Sequence, residues 1–343
     1  MSLDFLLHYG GRRLRQYVEQ PPLDSFDTGG DEEEGPKVAL DFELPPDAWQ
    51  PRSVADTLDP AAMPQRFVDG CHYGTMVVCL KDSVGHPIPV RLAEVGGVCM
   101  RIDGRSLRRE FAHIERIVCL IVDPFPWHEV EDFAISLQEK IGMRLLPALP
   151  PMKDGVPQLA FDYASMAQWT YTRAQAEMRI LEEMALNHDP EALSLVDGPL
   201  MRIEHSLAIG VIKQHRKDYL GLHRKCWQVF YDLEPGQRTP AFQLSSPRPR
   251  ISWYLKLDGA HGAMPNWGFV RVEISGDHFE RQGRDFGYLD RVSNALLKLR
   301  CRQGSYARAP VSMDPIVRAE ESLKSLFTPP DTLAQHFYHR IGL

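Results

Sequence analysis

The 343-residue sequence has no apolar run that approaches the roughly 20 residues needed for a membrane-spanning helix. Its amino terminus also lacks a cleavable apolar segment with a basic flank. No G-x-x-x-x-G-K-[ST] motif is present, which argues against ATP hydrolysis by the chain itself. We therefore expect a cytoplasmic protein that acts away from membranes and does not hydrolyse ATP itself.

Cysteine occurs at six positions, but never as a C-x-x-C pair. Most of these cysteines lie inside apolar runs, which favours buried reduced thiols over disulfides or a zinc site. The six positions are Cys71, Cys79, Cys99, Cys119, Cys226 and Cys301.

The chain has no overall excess of basic residues, since its net charge is −7. Residues 1–65 contain 13 acidic and 5 basic residues, whereas residues 66–343 contain 33 and 34. A near-neutral body can still present a local basic face for phosphate contact, although each basic cluster could equally be a solvated surface. The two candidate clusters are Lys213, Arg216, Lys217, Arg224 and Lys225, and Lys298, Arg300, Arg302 and Arg308.

The pattern of apolar residues divides the chain into three parts. Residues 1–65 combine a short amphipathic helix with an acidic, proline-containing stretch, which we expect to be an extended arm that docks a partner. Residues 66–327 predict an α/β domain that begins with an antiparallel meander. Within this domain we expect a long helix over 161–187 and mainly helical structure over 219–244. Residues 328–343 are expected to be a C-terminal tail.

Two aspartates each follow a short apolar run and precede a glycine. Asp197 follows residues 193–196, and Asp69 follows residues 66–68. Ligands of open α/β sheets bind at strand ends, and two carboxylates brought together there would suit a divalent metal. Each Asp-Gly pair, taken alone, is also an ordinary turn dipeptide.

One glutamate of the predicted helix lies on its apolar face. Setting Glu177 at zero and turning about 100° per residue leaves four apolar residues within about 80° of it, namely Ala174, Leu181, Met184 and Ala185. Glu182 and Glu183 point away from this face. A carboxylate among apolar side chains is costly unless it is paired or binds a metal, so Glu177 is a site candidate. An i,i+4 salt bridge with Arg173 is the alternative.

Two further residues are candidates because of their place in predicted elements. Lys213 ends the apolar run 207–212, where a lysine can hold a phosphate as a point charge or orient an attacking water. It could equally be a solvated lysine at a strand end. Glu320 lies in the predicted helix 312–327.

The order of these motifs over residues 66–327 resembles that of the NurA family of nucleases. The most specific segments are VDGPL at 196–200 and IGVIK at 209–213, and a VRVEI strand follows at 270–274. The resemblance implies an RNase H-like mixed sheet flanked by helices. It also implies processing of DNA ends by a homodimer that works with a HerA-type hexameric translocase.

Carried over residue by residue, the resemblance implies that Asp69 and Asp197 bind metal and that Lys213 is the basic residue of the active site. Glu177 matches the helix glutamate of the family best, with Glu182 and Glu183 as alternatives.

Two positions depart from the family pattern. Cys71 stands where the family usually has serine. Glu320 follows an alanine where the family often has histidine or aspartate, and a glutamate can also ligate a metal.

These residues suggest a two-metal phosphodiesterase site. We expect two Mn²⁺ or Mg²⁺ ions about 3.5–4 Å apart, bridged by Asp69 and completed by Asp197 and Glu177. The spacing of the motifs does not distinguish a 5′–3′ exonuclease from a single-strand endonuclease. Two other functions stay open: another RNase H-like nuclease or resolvase, and a non-catalytic DNA-binding adaptor of a motor protein.

Overall fold

A computed structural model describes residues 3–14, 37–54, 58–159, 163–200, 207–214, 217–246, 248–259, 267–302 and 308–343. Within these ranges the chain is a mixed α/β fold with one large sheet flanked by helices. The large mixed sheet expected from the sequence is confirmed.

The described strands are short at the amino terminus and long in the meander that follows. In chain order they are β1 (Arg12–Arg13), β2 (Val38–Ala39), β3 (Arg52–Ser53), β4 (Arg66–Lys81), β5 (Pro87–Asp103), β6 (Ser106–Leu120), β7 (Arg144–Pro147), β8 (Met152–Lys153), β9 (Val156–Pro157), β10 (Ser194–Asp197), β11 (Ala208–Ile212), β12 (Gln237–Arg238), β13 (Phe242–Leu244), β14 (Arg250–Lys256) and β15 (Phe269–Ser275).

The described helices lie between and after these strands. They are α1 (Phe5–His8), α2 (Trp127–Ile141), α3 (Tyr163–Asn187), α4 (Arg224–Asp232), α5 (Gly276–Arg281), α6 (Phe286–Leu299), α7 (Asp314–Lys324) and α8 (Pro330–Ile341), with short 3-10 turns at Pro46–Ala48, Pro60–Ala62 and Ala309–Val311.

In the described ranges, the main path of the large sheet runs β2-β13-β14-β15-β11-β10-β4-β5-β6-β7. Strands β4, β5 and β6 form the predicted antiparallel meander. Strand β10 is parallel to both of its neighbours, β4 and β11. The centre of the sheet therefore contains three adjacent parallel strands, and antiparallel strands complete it on both sides.

Strand β5 is buried almost without interruption because helices cover both faces of the meander. Helix α3 packs on one face of β5, and α7 packs on the other, where Leu323 lies close to Gly96. A strand buried on both faces has a nearly continuous apolar sequence, which explains why the meander does not alternate regularly between apolar and polar residues.

Two glycines paired across β4 and β5 allow α3 to approach the sheet closely. Gly70 lies opposite Gly97 in the strand register. A Cβ atom on Gly97 would lie 2.3 Å from the carbonyl oxygen of Leu181, and one on Gly70 would lie 3.3 Å from Cβ of Glu182. The helix backbone thus rests directly on the sheet at residues 181 and 182, an approach that only glycine permits.

The amino-terminal segment requires a correction to the expected arm. Residues 37–54 supply β2 and β3 to the large sheet, and Trp49 is buried. Buried Arg238 holds the segment in place through two hydrogen bonds of 2.8 and 3.0 Å to Glu43. The acidic residues 15–36, where docking was also expected, lie outside the described residues.

Two other expectations are corrected by packing. Over residues 219–244 the helix is limited to α4, and two short strands follow, because Arg238 and residues 242–244 pair with β14. The expected tail at 328–343 contains helix α8, whose Leu333 and Phe337 are buried in the core beside α1 and α2.

The cysteines and the apolar character of the helices were also predicted from the sequence. All six cysteines are free thiols, four of them buried, as predicted. Among the described helices, none has the length and apolar character to span a bilayer.

Replacing Gly97 with alanine tests the contact between α3 and the sheet. The added methyl group would overlap the backbone of Leu181, so we expect the free energy of unfolding to fall by about 1–3 kcal/mol or more. Urea unfolding measures the change. Gly259→Ala is the matched control, because its Cβ would meet its nearest neighbour at 3.7 Å. Equal stability of the two variants would contradict this packing.

Candidate functional site

The site candidates lie where two neighbouring parallel strands separate. Strands β4 and β10 are paired through Val68 and Val196, and the next residue of each strand is Asp69 or Asp197. Strand β10 ends at Asp197, whereas β4 continues to Lys81. The structure therefore brings the two predicted aspartates together. The expectation that a strand ends at Asp69 is wrong, because β4 continues past this residue as part of the meander.

A cavity of about 470 Å³ opens at this separation, and we call it the central cavity. Its walls come from β4, β5, α3, the ends of β10 and β11, β15, the residue before the 3-10 turn at Ala309–Val311, and α7. The charged residues that line it are Asp69, Glu182, Asp197 and Glu320, together with Arg91, Arg179, Lys213, Arg271 and Arg308.

Asp69 is the most perturbed carboxylate of the central cavity. Burial raises its pKa well above the usual value, and the charges of Asp197, Glu182 and Glu320 raise it further. Lys213 opposes this effect only in part. Four carboxyl groups thus interact around Asp69, which is the arrangement that an added cation would relieve.

Glu182 is the helix glutamate that the structure places in the central cavity. Its side chain is buried on the side of α3 that faces Gly70. Burial raises its pKa to about 7, with a contribution from Asp197, although Arg179 acts in the opposite direction.

Glu177 lies elsewhere, and this corrects the placement expected from the sequence. Its carboxylate accepts hydrogen bonds from Arg144 of β7 and from Arg173, the latter at 3.0 Å. The i,i+4 salt bridge considered as an alternative is therefore present. Within the described residues, Glu177 does not line the central cavity.

Glu182 takes the place expected for Glu177 because the sheet determines how α3 is rotated. Met178 and Leu181 are at the middle of the buried stripe, and Met184, expected on this stripe, is 46% exposed. Glu177 and Glu182 are five residues apart, or about 140° around a helix, so they flank the stripe on opposite sides. Glu177 reaches Arg144 of β7, and Glu182 lines the cavity with the aspartates.

Lysines hold two of the carboxylates in the central cavity. Nζ of Lys213 lies 2.7 Å from Oδ2 of Asp197, so the strand-end lysine does reach the site. Nζ of Lys324 lies 2.6 Å from Oε1 of Glu320, one turn earlier on α7. The cavity contains both the negative charges that bind cations and cations that could bind phosphate.

The predicted basic cluster after β11 is mostly separate from the central cavity. Arg224 and Lys225 are exposed in the first turn of α4, and Lys217 is half-buried. Among the described members of the cluster, Lys213 lines the cavity and these three do not. Arg216 lies outside the described residues. The lining arginines include Arg308 of the second cluster.

The turn after Asp197 folds over β11 at a glycine. A Cβ atom on Gly210 would lie 2.7 Å from the carbonyl oxygen of Gly198 and 3.0 Å from Cγ of Leu200. The amide of Gly198 also donates to the carbonyl of Val211 at 3.0 Å. The VDGPL and IGVIK segments therefore form one packed corner.

Glu273 of the VRVEI segment holds the other side of this corner. Its Oε2 accepts a 3.0 Å hydrogen bond from the amide of Leu200. Burial opposes ionisation, but Arg271 and Arg250 hold the pKa of Glu273 below its usual value. Glu273 was not predicted to have a role, although an acid and an arginine inside an apolar strand are the signal for such a buried pair.

The acidic side chains of the central cavity suit a hard divalent cation. Asp69, Glu182, Asp197 and Glu320 supply the oxygen ligands that Mn²⁺ and Mg²⁺ prefer. Over the described part of the chain, no three His, Cys, Asp or Glu side chains are already grouped to hold a metal ion. The residues therefore fit such an ion by the chemistry of their oxygen atoms. A bound cation would compete with Lys213 for Asp197 and with Lys324 for Glu320.

No family model and no curated protein matches this chain. Among solved structures, the chain is similar to the crystal structure of the NurA nuclease from Sulfolobus solfataricus, with 12% sequence identity. The match covers 80% of this chain and 81% of that chain, and its TM-score is 0.37. At this TM-score the similarity carries no conclusion about the function of the chain.

Glu182→Gln tests the electrostatics of the central cavity through pH. The pKa of Glu182 is raised from 4.5 to about 7, so the folded protein keeps a proton that the unfolded chain releases between these values. The contribution of Glu182 to the free energy of unfolding is therefore lost as pH rises from 4.5 to 7. We expect Glu182→Gln to raise the free energy of unfolding by up to about 3 kcal/mol at pH 8, and by little at pH 4.5.

Thermal unfolding at the two pH values measures this difference. Glu183→Gln removes a charge from the adjacent position outside the cavity and is the control. The same shift in both variants, or no dependence on pH, would contradict the burial of Glu182.

Glu273→Gln tests the buried network behind the corner. Arg250 and Arg271 would keep their charges without the facing carboxylate, so we expect a loss of about 3–5 kcal/mol in the free energy of unfolding. Glu321→Gln breaks an exposed pair with Arg318 and should cost about 1 kcal/mol or less. Chemical denaturation distinguishes the two. A similar small loss in both would show that Glu273 does not hold the corner.

Proposed function

We propose that this chain is a metal-dependent nuclease that hydrolyses phosphodiester bonds of DNA in the central cavity. The observation that carries the proposal is that four carboxylates and Lys213 line one cavity where β4 and β10 separate. Repulsion around Asp69 costs stability, and a structural role alone does not account for four acids in an open cavity.

The proposed ligands are Asp69, Asp197, Glu182 and Glu320. Glu182 replaces Glu177 in this set, because it lies beside the aspartates. We propose Mn²⁺ or Mg²⁺, and two ions, since four carboxylates offer more oxygen donors than one partly hydrated ion requires. When bound, such ions stabilise the negative charge that develops on the attacking and leaving oxygens.

The cationic residues of the cavity are proposed to bind phosphate rather than metal. Lys213 is bonded to Asp197 and is 12% exposed, so its ammonium group lies at the carboxylates and still faces the cavity. We propose that it contacts the scissile phosphate as a point charge. Arg271, from the neighbouring strand β15, lines the same wall, but its charge is paired with that of Glu273. The charge of Lys213 favours an anionic substrate over a neutral one.

The biological setting is proposed from the sequence resemblance alone. It implies an RNase H-like core, a homodimer, and the processing of DNA ends in double-strand break repair with a HerA-type hexameric translocase. Cleavage could take the form of a 5′–3′ exonuclease, a single-strand endonuclease, or both. The acidic residues 15–36 are proposed to dock the partner. Another RNase H-like nuclease or resolvase, or a non-catalytic adaptor, would replace this proposal if the assays below require it.

The test is cleavage of end-labelled DNA with and without Mn²⁺. We expect wild-type protein to cleave in Mn²⁺ and not in EDTA. Asp69→Asn, Asp197→Asn and Glu182→Gln should each lose at least about 100-fold in rate, since even outer-shell partners of metal ligands contribute about 10- to 100-fold. Linear duplex, single strand, RNA·DNA hybrid and four-way junction identify the substrate.

Glu177→Gln is the matched comparison, because it changes the same residue type on the same helix. It should retain cleavage, although breaking its pairs with Arg144 and Arg173 lowers stability. Loss with Glu177→Gln and activity with Glu182→Gln would restore the assignment expected from the sequence. Unchanged cleavage by both aspartate variants would exclude the site, and binding of DNA without cleavage of any substrate would favour the adaptor.

A further inference from the structure

The central cavity continues beyond the carboxylates into a second region lined by aromatic rings. His72 and Tyr73 come from β4, and Tyr171 comes from α3. Arg91 of β5 also lines this region. We call these four residues the aromatic end of the cavity. The nuclease chemistry proposed above does not use them.

The rings of His72 and Tyr171 are in contact with each other. The ring of His72 meets that of Tyr171 at an interplanar angle of 69°, with centroids 4.8 Å apart. The guanidinium carbon of Arg91 lies 5.4 Å from the centroid of the Tyr171 ring. Tyr73 is 49% exposed at the cavity wall. An apolar ring that faces an open cavity at this exposure has contact area left for a ligand.

Two continuous walls connect the carboxylates to this region. Along β4, Tyr73 is four residues from Asp69, or about 13 Å at the rise of a strand. Along α3, Tyr171 and Glu182 are eleven residues apart, which places them on one stripe of the helix with Met178 between them. A chain molecule with a phosphate at the carboxylates could therefore extend along both walls to the rings.

The charge of the aromatic end suits a flat and neutral group. Burial, and to a lesser extent the charge of Arg91, lower the pKa of His72 to about 4, so its imidazole is neutral at physiological pH. Arg91 is the cation of the aromatic end and lies against the ring of Tyr171. Aromatic rings and arginine planes are the surfaces on which unpaired bases of nucleic acids stack.

We propose that the aromatic end binds an unpaired nucleobase of the DNA strand whose phosphate lies at the carboxylates. The substrate is then a single-stranded segment or a frayed end. A base inside a duplex is excluded because both of its faces are already stacked. This inference rests on the proposed nuclease function for the direction of the strand, while the base-binding surface can be tested without cleavage.

The experiment measures binding of a fluorescently labelled oligothymidine by anisotropy, in EDTA and at fixed salt. We expect Tyr73→Ala to weaken binding about 5- to 100-fold, because one base–aromatic stack is lost. Tyr73→Phe keeps the ring and should bind like wild type. Tyr231→Ala is the matched control, since this tyrosine is 55% exposed on α4 and does not line the described cavity. Thermal unfolding confirms that each variant is folded.

A series of oligonucleotides with one abasic position identifies the stacked base. In wild-type protein, one position should weaken binding by the same factor as Tyr73→Ala, and that position should have no further effect in the variant. A blunt duplex should bind equally well to wild type and Tyr73→Ala. Equal oligothymidine affinity of these two proteins, or an equal loss for the blunt duplex, would overturn the proposal.

The outcome separates this inference from the nuclease proposal. Base-dependent binding without cleavage in Mn²⁺ would support the aromatic end and remove the nuclease function. Cleavage in Mn²⁺ together with unchanged binding by Tyr73→Ala and Tyr171→Ala would retain the nuclease and exclude the base site.

Discussion

The close contact between α3 and the paired glycines of β4 and β5 is the constraint on which the site depends. With Leu181 resting on Gly97, the helix has one possible height and rotation on the sheet. That rotation places Glu182 at the aspartates and Glu177 at Arg144. It also aligns Tyr171 and Glu182 along the same wall of the central cavity. A side chain larger than hydrogen at residue 97 would change all of these positions together.

Repulsion between carboxylates is the second constraint, and the fold tolerates it rather than removing it. Asp69 and Asp197 are adjacent because the strands that carry them are parallel neighbours up to the preceding residue. Lys213 and Lys324 offset part of the charge, but burial still raises the pKa of Asp69 and Glu182. In contrast, the carboxylate of Glu273 is paired with Arg250 and Arg271, which hold its pKa below the usual value.

The sequence alone determined the features that depend on local pattern. Asp69, Asp197 and Lys213 were found because each ends an apolar run, and the parallel pairing of those runs brings them together. The meander, the long helix and the free cysteines follow from the same kind of local signal. The order of VDGPL, IGVIK and VRVEI also carried information, since these segments touch at Gly210 and Leu200.

Only the tertiary structure decided which glutamate joins the aspartates. A helical wheel gives the angles between residues of α3. The face that meets the sheet is set by Gly70 and Gly97, which lie about 110 and 80 residues before the two glutamates. The same holds for residues 37–54, whose strands form only because β13 and Arg238 offer partners. Contacts between distant segments have no signature in either segment alone, and this is why Glu182 was visible in the sequence only as an acid turned away from the core.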